Sequence, residues 1–106
     1  MKTKPFSEQI AIVTGGGTGI GRAFAEALAQ AEATAVIASR REEVLKQTAA
    51  ELNSKFSAAR VVPFGCDVLD RDQIEALVSF AFERWNCIDI LINNAGLDHQ
   101  CVIPGW

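Results

Sequence analysis

Short apolar runs and segments of helical periodicity alternate along this chain. The apolar runs are rich in β-branched residues, which predicts strands that are buried on both faces of a sheet. These runs are residues 10–13, 35–38, 61–62 and 88–92. A helical segment follows each of the first three runs, so the pattern predicts the element order β-α-β-α-β-α-β.

The segments between the runs place apolar residues at the i, i+3, i+4, i+7 spacing of a helix that packs on a sheet. The predicted stripes are Ile20, Ala23, Phe24, Ala27 and Leu28; Leu45, Ala49, Leu52 and Phe56; and Ile74, Leu77, Val78, Ala81, Phe82 and Trp85. Asp70 is placed to cap the third helix, and Gln73 to complete a capping box with it. Strands that alternate with helices predict an α/β fold with a doubly wound parallel sheet.

The predicted domain covers residues 1–106, because no repeat or Pro/Gly-rich linker interrupts the pattern. The pattern predicts about four strands and three helices, which is roughly half of the usual doubly wound fold. We therefore expect a fold that is truncated at its C-terminal end. Residues 97–106 have no periodicity and are predicted to form an irregular tail. An unpaired fourth strand would expose an apolar edge, which predicts marginal stability or self-association.

One turn departs from the usual helix ending. Glu32 stands where the first predicted helix ends, at a position commonly filled by glycine because it takes a positive φ freely. A glutamate in the left-handed region would cost about 1 kcal/mol. The alternative is a turn of another geometry.

Composition narrows the class of protein. With 49% apolar residues and a net charge of −3, the chain is too apolar and too weakly charged to be disordered. The slight acidity argues against nucleic-acid or anionic-membrane partners, and no apolar run approaches the roughly 20 residues of a membrane span. The start has no apolar region of a signal peptide. Cys66, Cys87 and Cys101 fit no disulfide framework, which indicates a reducing compartment, expected to be the cytoplasm.

The strongest local signal is a glycine-rich run between the first strand and the first helix. Helix N-termini attract phosphate, and glycines let the backbone approach such a ligand closely. The run lacks the third glycine of G-x-G-x-x-G, where Ile20 stands, and Arg22-Ala23 replaces the Lys and hydroxyl residue of a P-loop. A glycine-rich turn without a ligand is the alternative. The pattern that fits is T-G-x-x-x-G-x-G, with Thr14, Gly15, Gly19 and Gly21.

Two arginines follow the second strand, in the sequence Ser39-Arg40-Arg41. In dinucleotide folds an acidic residue near this point binds the ribose 2′-OH of NAD, whereas an arginine accommodates the 2′-phosphate of NADP. The residues therefore favour NADP(H) over NAD(H), with Arg40 as the main determinant. The alternative is that both arginines only solvate the start of a helix, although cations are mildly unfavourable there.

Four stretches together resemble the short-chain dehydrogenase/reductase family: residues 14–21, 39–40, 66–68 and 93–96, in an order that covers roughly residues 8–96. The resemblance implies a Rossmann-like fold and an NADP(H)-dependent oxidoreductase. It implies that Asp67 and Val68 meet the adenine, and a carboxylate can accept from an adenine amino group. The implied residues on the pyrophosphate and nicotinamide side are Gly15, Gly17, Thr18, Gly19 and Ile20. The implied residues at the cofactor ribose and sheet centre are Asn94, Ala95 and Gly96, although asparagines also favour a plain strand-end turn.

The family's chemistry uses a serine, an asparagine and Tyr-x-x-x-Lys beyond the fourth strand. This chain contains no tyrosine, so we assign it no catalytic residue. His99, with Asp98 and Cys101 nearby, lacks metal-ligand spacing, and no metal site is predicted. We expect the cofactor-binding half of an oxidoreductase whose carbonyl, alcohol or acyl-CoA substrate binds only in a full-length form. The acyl-CoA expectation rests on similarity to enoyl- and dienoyl-CoA reductases of the family. The alternatives are a non-catalytic NADP(H)-binding module and a truncated product without function.

Overall fold

The computed structural model describes residues 5–15, 17–58 and 60–94. Within these residues a short 3₁₀ turn at Phe6–Glu8 precedes four strands and three helices. Their bounds are β1 (Ile10–Thr14), α1 (Gly19–Gln30), β2 (Thr34–Ser39), α2 (Glu42–Lys55), β3 (Val61–Gly65), α3 (Arg71–Trp85) and β4 (Ile90–Asn93). The predicted element order is confirmed. Residues 95–106, which include the predicted tail, lie outside the described residues.

The strands form a parallel sheet in the order β3-β2-β1-β4. One face packs against α1 and α2 through residues such as Ala11 and Val13, and the other packs against α3 through Ile12 and Val36. Burial on both faces explains why the strands are continuous apolar runs rather than alternating ones. The structure confirms the doubly wound α/β, Rossmann-like fold.

Of the predicted helix stripes, the second is confirmed, and the first is wrong except at Leu28, which is buried. Leu45, Ala49 and Leu52 of α2 are buried, whereas Ile20 and Phe24 of α1 are 59% and 43% exposed. The buried residues of α1 are Gly21, Ala25, Leu28 and Ala29. The reason is the close approach of α1 to the preceding loop, which turns the face with the smallest residues toward the sheet. In the third stripe, Ile74, Leu77 and Ala81 are buried, but Phe82 is exposed.

Asp70 caps α3 as predicted, because its carboxylate accepts hydrogen bonds from the amides of Asp72, at 3.0 Å, and Gln73, at 3.4 Å. The predicted capping box is wrong in its second half. The amide of Asp70 donates to the Asp67 carbonyl, so the Gln73 side-chain oxygen instead accepts from the Asp67 amide at 2.7 Å. Gln73 thereby ties the turn after β3 to the start of α3.

No helix in the described part of the chain is long and apolar enough to cross a membrane.

β4 lies at one edge of the sheet and pairs with β1. Asp89 fixes the start of this pair, since its carboxylate accepts from the Ile10 amide at 2.8 Å and its amide donates to the Ile10 carbonyl at 2.8 Å.

The turn after α1 adopts the left-handed geometry. Glu32 has a φ of 71°. Its amide donates to the Ala29 carbonyl at 3.0 Å, and the Ala33 amide donates to the Leu28 carbonyl at 2.9 Å. This pair of bonds is a Schellman motif, in which Glu32 holds the position that glycine usually takes.

Glu32→Gly is expected to raise the free energy of unfolding by about 1 kcal/mol, because glycine takes this φ without a steric penalty. The bond from Arg60 Nη1 to the Glu32 carbonyl uses only backbone of residue 32 and persists in the variant. Urea unfolding measures the change. Glu32→Ala is the control, since it removes the carboxylate but keeps the strain, and should leave stability nearly unchanged. Equal stabilisation by both variants would contradict the strain argument.

Candidate cofactor site

The glycine loop joins the C-terminal end of β1 to the first turn of α1. Gly15 and Gly19 have positive φ values of 68° and 57°. The Gly15 amide donates to the Ala38 carbonyl of β2 at 2.7 Å, which anchors the loop to the sheet. A Cβ added to Gly21 would lie 2.0 Å from the Gly15 carbonyl oxygen. The backbone of the loop therefore rests directly on the helix, and only glycine fits at residue 21.

The N-terminus of α1 lacks a side-chain cap. Thr18 is the N-cap residue in an extended conformation, and its side chain makes no capping hydrogen bond. The first turn of α1 also contains no acidic residue. Uncapped amides and the positive end of the helix dipole are the features that bind phosphate oxygens.

A cavity of about 300 Å³ opens between this loop, the end of β2, the start of α2 and the turn after β3. Its lining residues are Gly15, Gly17, Thr18, Ser39, Arg40, Arg41, Val44, Cys66, Asp67, Val68 and Leu69. The structure thus brings together the predicted phosphate, ribose and adenine segments. The volume of the cavity lies at the lower end of the roughly 300–1,000 Å³ range of small-molecule sites. This volume fits one end of a dinucleotide.

Four predicted site residues do not line this cavity: Gly19, Ile20, Gly21 and Asn94. Gly21 and Asn94 lie behind the loop instead. The Asn94 amide donates to the Thr14 hydroxyl at 2.9 Å, and the Asn94 side-chain amide approaches the Gly15 carbonyl at 3.5 Å. Asn94 therefore joins the end of β4 to the loop. Ala95 and Gly96 lie outside the described residues.

Positive charge gathers at one side of the cavity. Arg40 and Arg41 are exposed, and within the described part of the chain neither forms an ion pair. The Ser39 hydroxyl accepts from the Arg41 amide at 3.2 Å and so fixes the turn between β2 and α2. The nearest acidic residue along the chain, Glu42, pairs with Lys46 at 3.5 Å. The two guanidinium groups are thus available to an anion.

Asp67, in the turn after β3, also lines the cavity. One of its carboxylate oxygens accepts from the Leu69 amide at 2.9 Å, and its own amide donates to Gln73. These bonds hold the carboxylate in a fixed turn, half-buried at the cavity. The second carboxylate oxygen accepts no hydrogen bond from the described residues, and it can accept from an amino group.

The Cys66 thiol adds a neutral surface beside this carboxylate. Burial, followed by the negative charges of Asp67 and Asp70, raises the pKa of the thiol to about 11. Cys66 therefore stays protonated near neutral pH and is neither a nucleophile nor a metal-ligating thiolate. Among the described residues no cluster of His, Cys, Asp and Glu could hold a metal ion, and His99 lies outside them.

Three lining residues escaped the sequence analysis of the site: Val44, Cys66 and Leu69. Val44 belongs to α2, and its Cγ1 would lie 3.0 Å from a Cβ at Gly17. Val44 directly precedes Leu45, the first residue of the predicted apolar stripe of α2. This position was the only indication in the sequence that Val44 could lie near the site. Cys66 already stood in the family-like stretch 66–68 without a role at the site, and extending that stretch by one residue would have found Leu69.

Comparison with known proteins agrees with this geometry. Residues 9–104 match the family model of short chain dehydrogenase. A peroxisomal 2,4-dienoyl-CoA reductase from Danio rerio is 40% identical over 95 residues, which cover 90% of this chain and 31% of that protein. The chain belongs to the short-chain dehydrogenase family. It spans about a third of the length of the curated relatives it matches.

Solved structures of the family differ in the cofactor that they hold. The NADPH-bound short chain oxidoreductase of Pseudomonas aeruginosa PAO1, described as containing an atypical catalytic center, superposes with a TM-score of 0.81 at 40% identity, covering 85% of this chain and 35% of that one. A short chain dehydrogenase/reductase from Burkholderia phymatum in complex with NAD superposes with a TM-score of 0.76 at 32% identity, covering 84% and 31%. These two relatives therefore hold different nicotinamide cofactors, NADPH in one and NAD in the other.

Proposed function

We propose that this chain binds NADP(H) and forms the cofactor-binding part of an oxidoreductase. The observation that carries the preference is the pair Arg40 and Arg41 at the cavity, where no carboxylate of the described residues pairs with either. A 2′-phosphate fits two guanidinium groups, whereas the ribose 2′-OH of NAD is usually bound by an acid, and Ser39 is neutral.

In this proposal each wall of the cavity holds one part of the cofactor. The glycine loop and the amides at the start of α1 bind the pyrophosphate, and Asp67 accepts from the adenine amino group. Val68 and Val44 supply apolar contact to the adenine. When bound, the nicotinamide transfers a hydride to or from a substrate carbon. The cavity formed by the described residues holds the adenosine end in this proposal. Asn94, Ala95 and Gly96 lie at the cofactor ribose, and the pyrophosphate and nicotinamide side is formed by Gly15, Gly17, Thr18, Gly19 and Ile20.

We further propose that the proton chemistry and the substrate site lie outside these 106 residues, which contain no tyrosine. The resemblance places the family's tyrosine, lysine and serine beyond the fourth strand. The substrate would be a carbonyl, an alcohol or an acyl-CoA bound by a longer form. A second candidate function is a non-catalytic NADP(H)-binding module, which rests on the same cavity and the same pair of arginines.

Titration of the purified chain with NADPH and NADH, followed by cofactor fluorescence and calorimetry, tests this proposal. We expect NADPH to bind at least about tenfold more tightly than NADH, the difference that one charge-assisted contact supplies. Equal affinities would refute the NADP(H) preference. Binding of neither cofactor would leave a product without function, and turnover of a carbonyl substrate by this chain would refute the placement of the catalytic groups.

The edge of the sheet suggests self-association. Among the described strands β4 pairs only with β1, and its Ile90, Leu91 and Ile92 are half-buried. Exposed apolar edges recruit other strands. We propose that the isolated chain associates through this edge, so its sedimentation coefficient should rise with concentration. A monomer over a wide concentration range would contradict the proposal. Among the described residues Cys66 and Cys87 form no disulfide. This suits a reducing compartment, and we propose the cytoplasm.

A further inference from the structure

Thr48 is a buried polar residue on the face of α2 that lies next to the glycine loop. Its side chain is 2% exposed, and its hydroxyl donates to the Gly17 carbonyl at 2.8 Å. A buried hydroxyl without a partner would cost about 1–3 kcal/mol, so this bond is strongly maintained. The contact joins residues that are 31 positions apart in the chain.

A neighbouring ion pair orients this hydroxyl. Arg22 Nη1 lies 3.5 Å from the Thr48 oxygen, and Arg22 Nη2 pairs with Glu51 at 2.8 Å. The hydrogen bond from Arg22, followed by one from Gln47, lowers the pKa of the Glu51 carboxyl and keeps it ionised. An arginine only donates and a hydroxyl carries one proton. Thr48 therefore accepts from Arg22 and gives its single proton to Gly17.

The direction of the Gly17 carbonyl determines the direction of the next amide. The peptide bond between Gly17 and Thr18 is planar and trans, so the Thr18 N–H is antiparallel to the Gly17 carbonyl. Because Thr48 holds the carbonyl toward α2, the Thr18 N–H faces away from α2. Gly17 and Thr18 both line the cavity.

We propose that Thr48 is a positioning residue for the pyrophosphate loop, acting through the Gly17–Thr18 peptide. Val44 packs on Gly17 from the same helix, and Arg41 is the N-cap residue of that helix. α2 thus contacts the loop and also carries at its N-terminus an arginine that lines the same cavity. This inference rests on the proposed binding of NADP(H) and assigns a role to a residue that does not line the cavity.

Thr48→Val removes the hydroxyl at nearly constant shape, and Thr48→Ser keeps it. We expect Thr48→Val to bind NADPH about tenfold more weakly, because the loop would lose one hydrogen bond to the charged pyrophosphate. Thr48→Ser should bind NADPH as tightly as the parent chain. Adenosine 2′-phosphate is the second probe. It carries the arginine-binding phosphate but no pyrophosphate, so its affinity should be unchanged in both variants.

Asn53→Ala is the control for general destabilisation. The Asn53 side chain bonds to both the carbonyl and the amide of Val61, near the far end of α2. Its loss should lower the free energy of unfolding without changing NADPH affinity. Unchanged NADPH binding by Thr48→Val, or an equal loss for both probes, would overturn the positioning role.

The positioning role has a test that needs no cofactor. In ¹⁵N-correlated spectra, Thr48→Val should shift the Thr18 amide resonance, and Thr48→Ser should restore it. An unmoved Thr18 resonance in Thr48→Val would overturn the inference even if NADPH binds. If the parent chain binds no NADPH while the resonance moves as expected, the proposed function fails and the orientation of the loop stands.

Discussion

Gly21→Ala is expected to destabilise the chain by more than about 3 kcal/mol and to abolish NADPH binding with it. The added Cβ would lie 2.0 Å from the Gly15 carbonyl oxygen, 2.7 Å from its carbon and 2.9 Å from the Asn94 side-chain nitrogen. Two of these atoms are backbone, so no rotamer change relieves the overlap. The loop would have to leave α1, and the Gly15 amide would then lose its bond to β2.

Gly19→Ala is the matched control for this change. Gly19 has a φ of 57°, and none of the described atoms lies within 4 Å of its added Cβ. Alanine there suffers conformational strain of about 1–2 kcal/mol but no overlap. Thermal and urea unfolding of the two variants separates the effects. A Gly21→Ala chain that is no less stable than Gly19→Ala would show that the loop does not rest on the helix as described.

The periodicity of the chain was sufficient to predict the strands, the order of strands and helices along the chain, and the buried face of α2, because those patterns depend on local alternation and on burial by a sheet. It failed at α1, where the large apolar residues Ile20 and Phe24 are exposed and the small residues Gly21 and Ala25 are buried. Hydrophobicity alone favours the larger side chains for the core. The close contact between Gly21 and Gly15 instead turns the small residues of α1 toward the sheet. The order of residue types along the chain does not show how closely two backbones approach, so this contact was not predictable.

The cavity was predictable where its residues lie close together in sequence, as at residues 39–41, at 67–68, and at Gly15, Gly17 and Thr18. The parallel sheet brings the carboxyl ends of neighbouring strands together, so their following residues meet. Val44 and Thr48 were not predictable in this way, because their contribution depends on how α2 packs against the loop. A threonine within a helix has many ordinary explanations, and only the bond to Gly17 distinguishes this one.

In the proposed function, Arg40 and Arg41 at the cavity carry the preference for NADP(H), and Arg40→Asp should reverse it. We expect NADPH affinity to fall by about a hundredfold or more, since an attractive pair with the 2′-phosphate becomes a repulsive one. NADH affinity should rise modestly, because a carboxylate at the end of β2 can accept from the ribose 2′-OH. The chain retains its fold, since Arg40 is exposed and lies outside both the strand and the helix.

Lys55→Asp is the control for the change in net charge. Lys55 ends α2, far from the cavity, and is exposed and paired with Glu26. It makes the same two-unit change in charge, so a loss of NADPH affinity caused only by the overall field would appear in both variants. The expected result is a large loss in Arg40→Asp, a smaller loss in Arg41→Asp and no loss in Lys55→Asp. Two outcomes would show that Arg40 does not bind the 2′-phosphate. One is an equal loss of NADPH affinity in Arg40→Asp and Lys55→Asp, and the other is an unchanged ratio of NADPH to NADH affinity in Arg40→Asp.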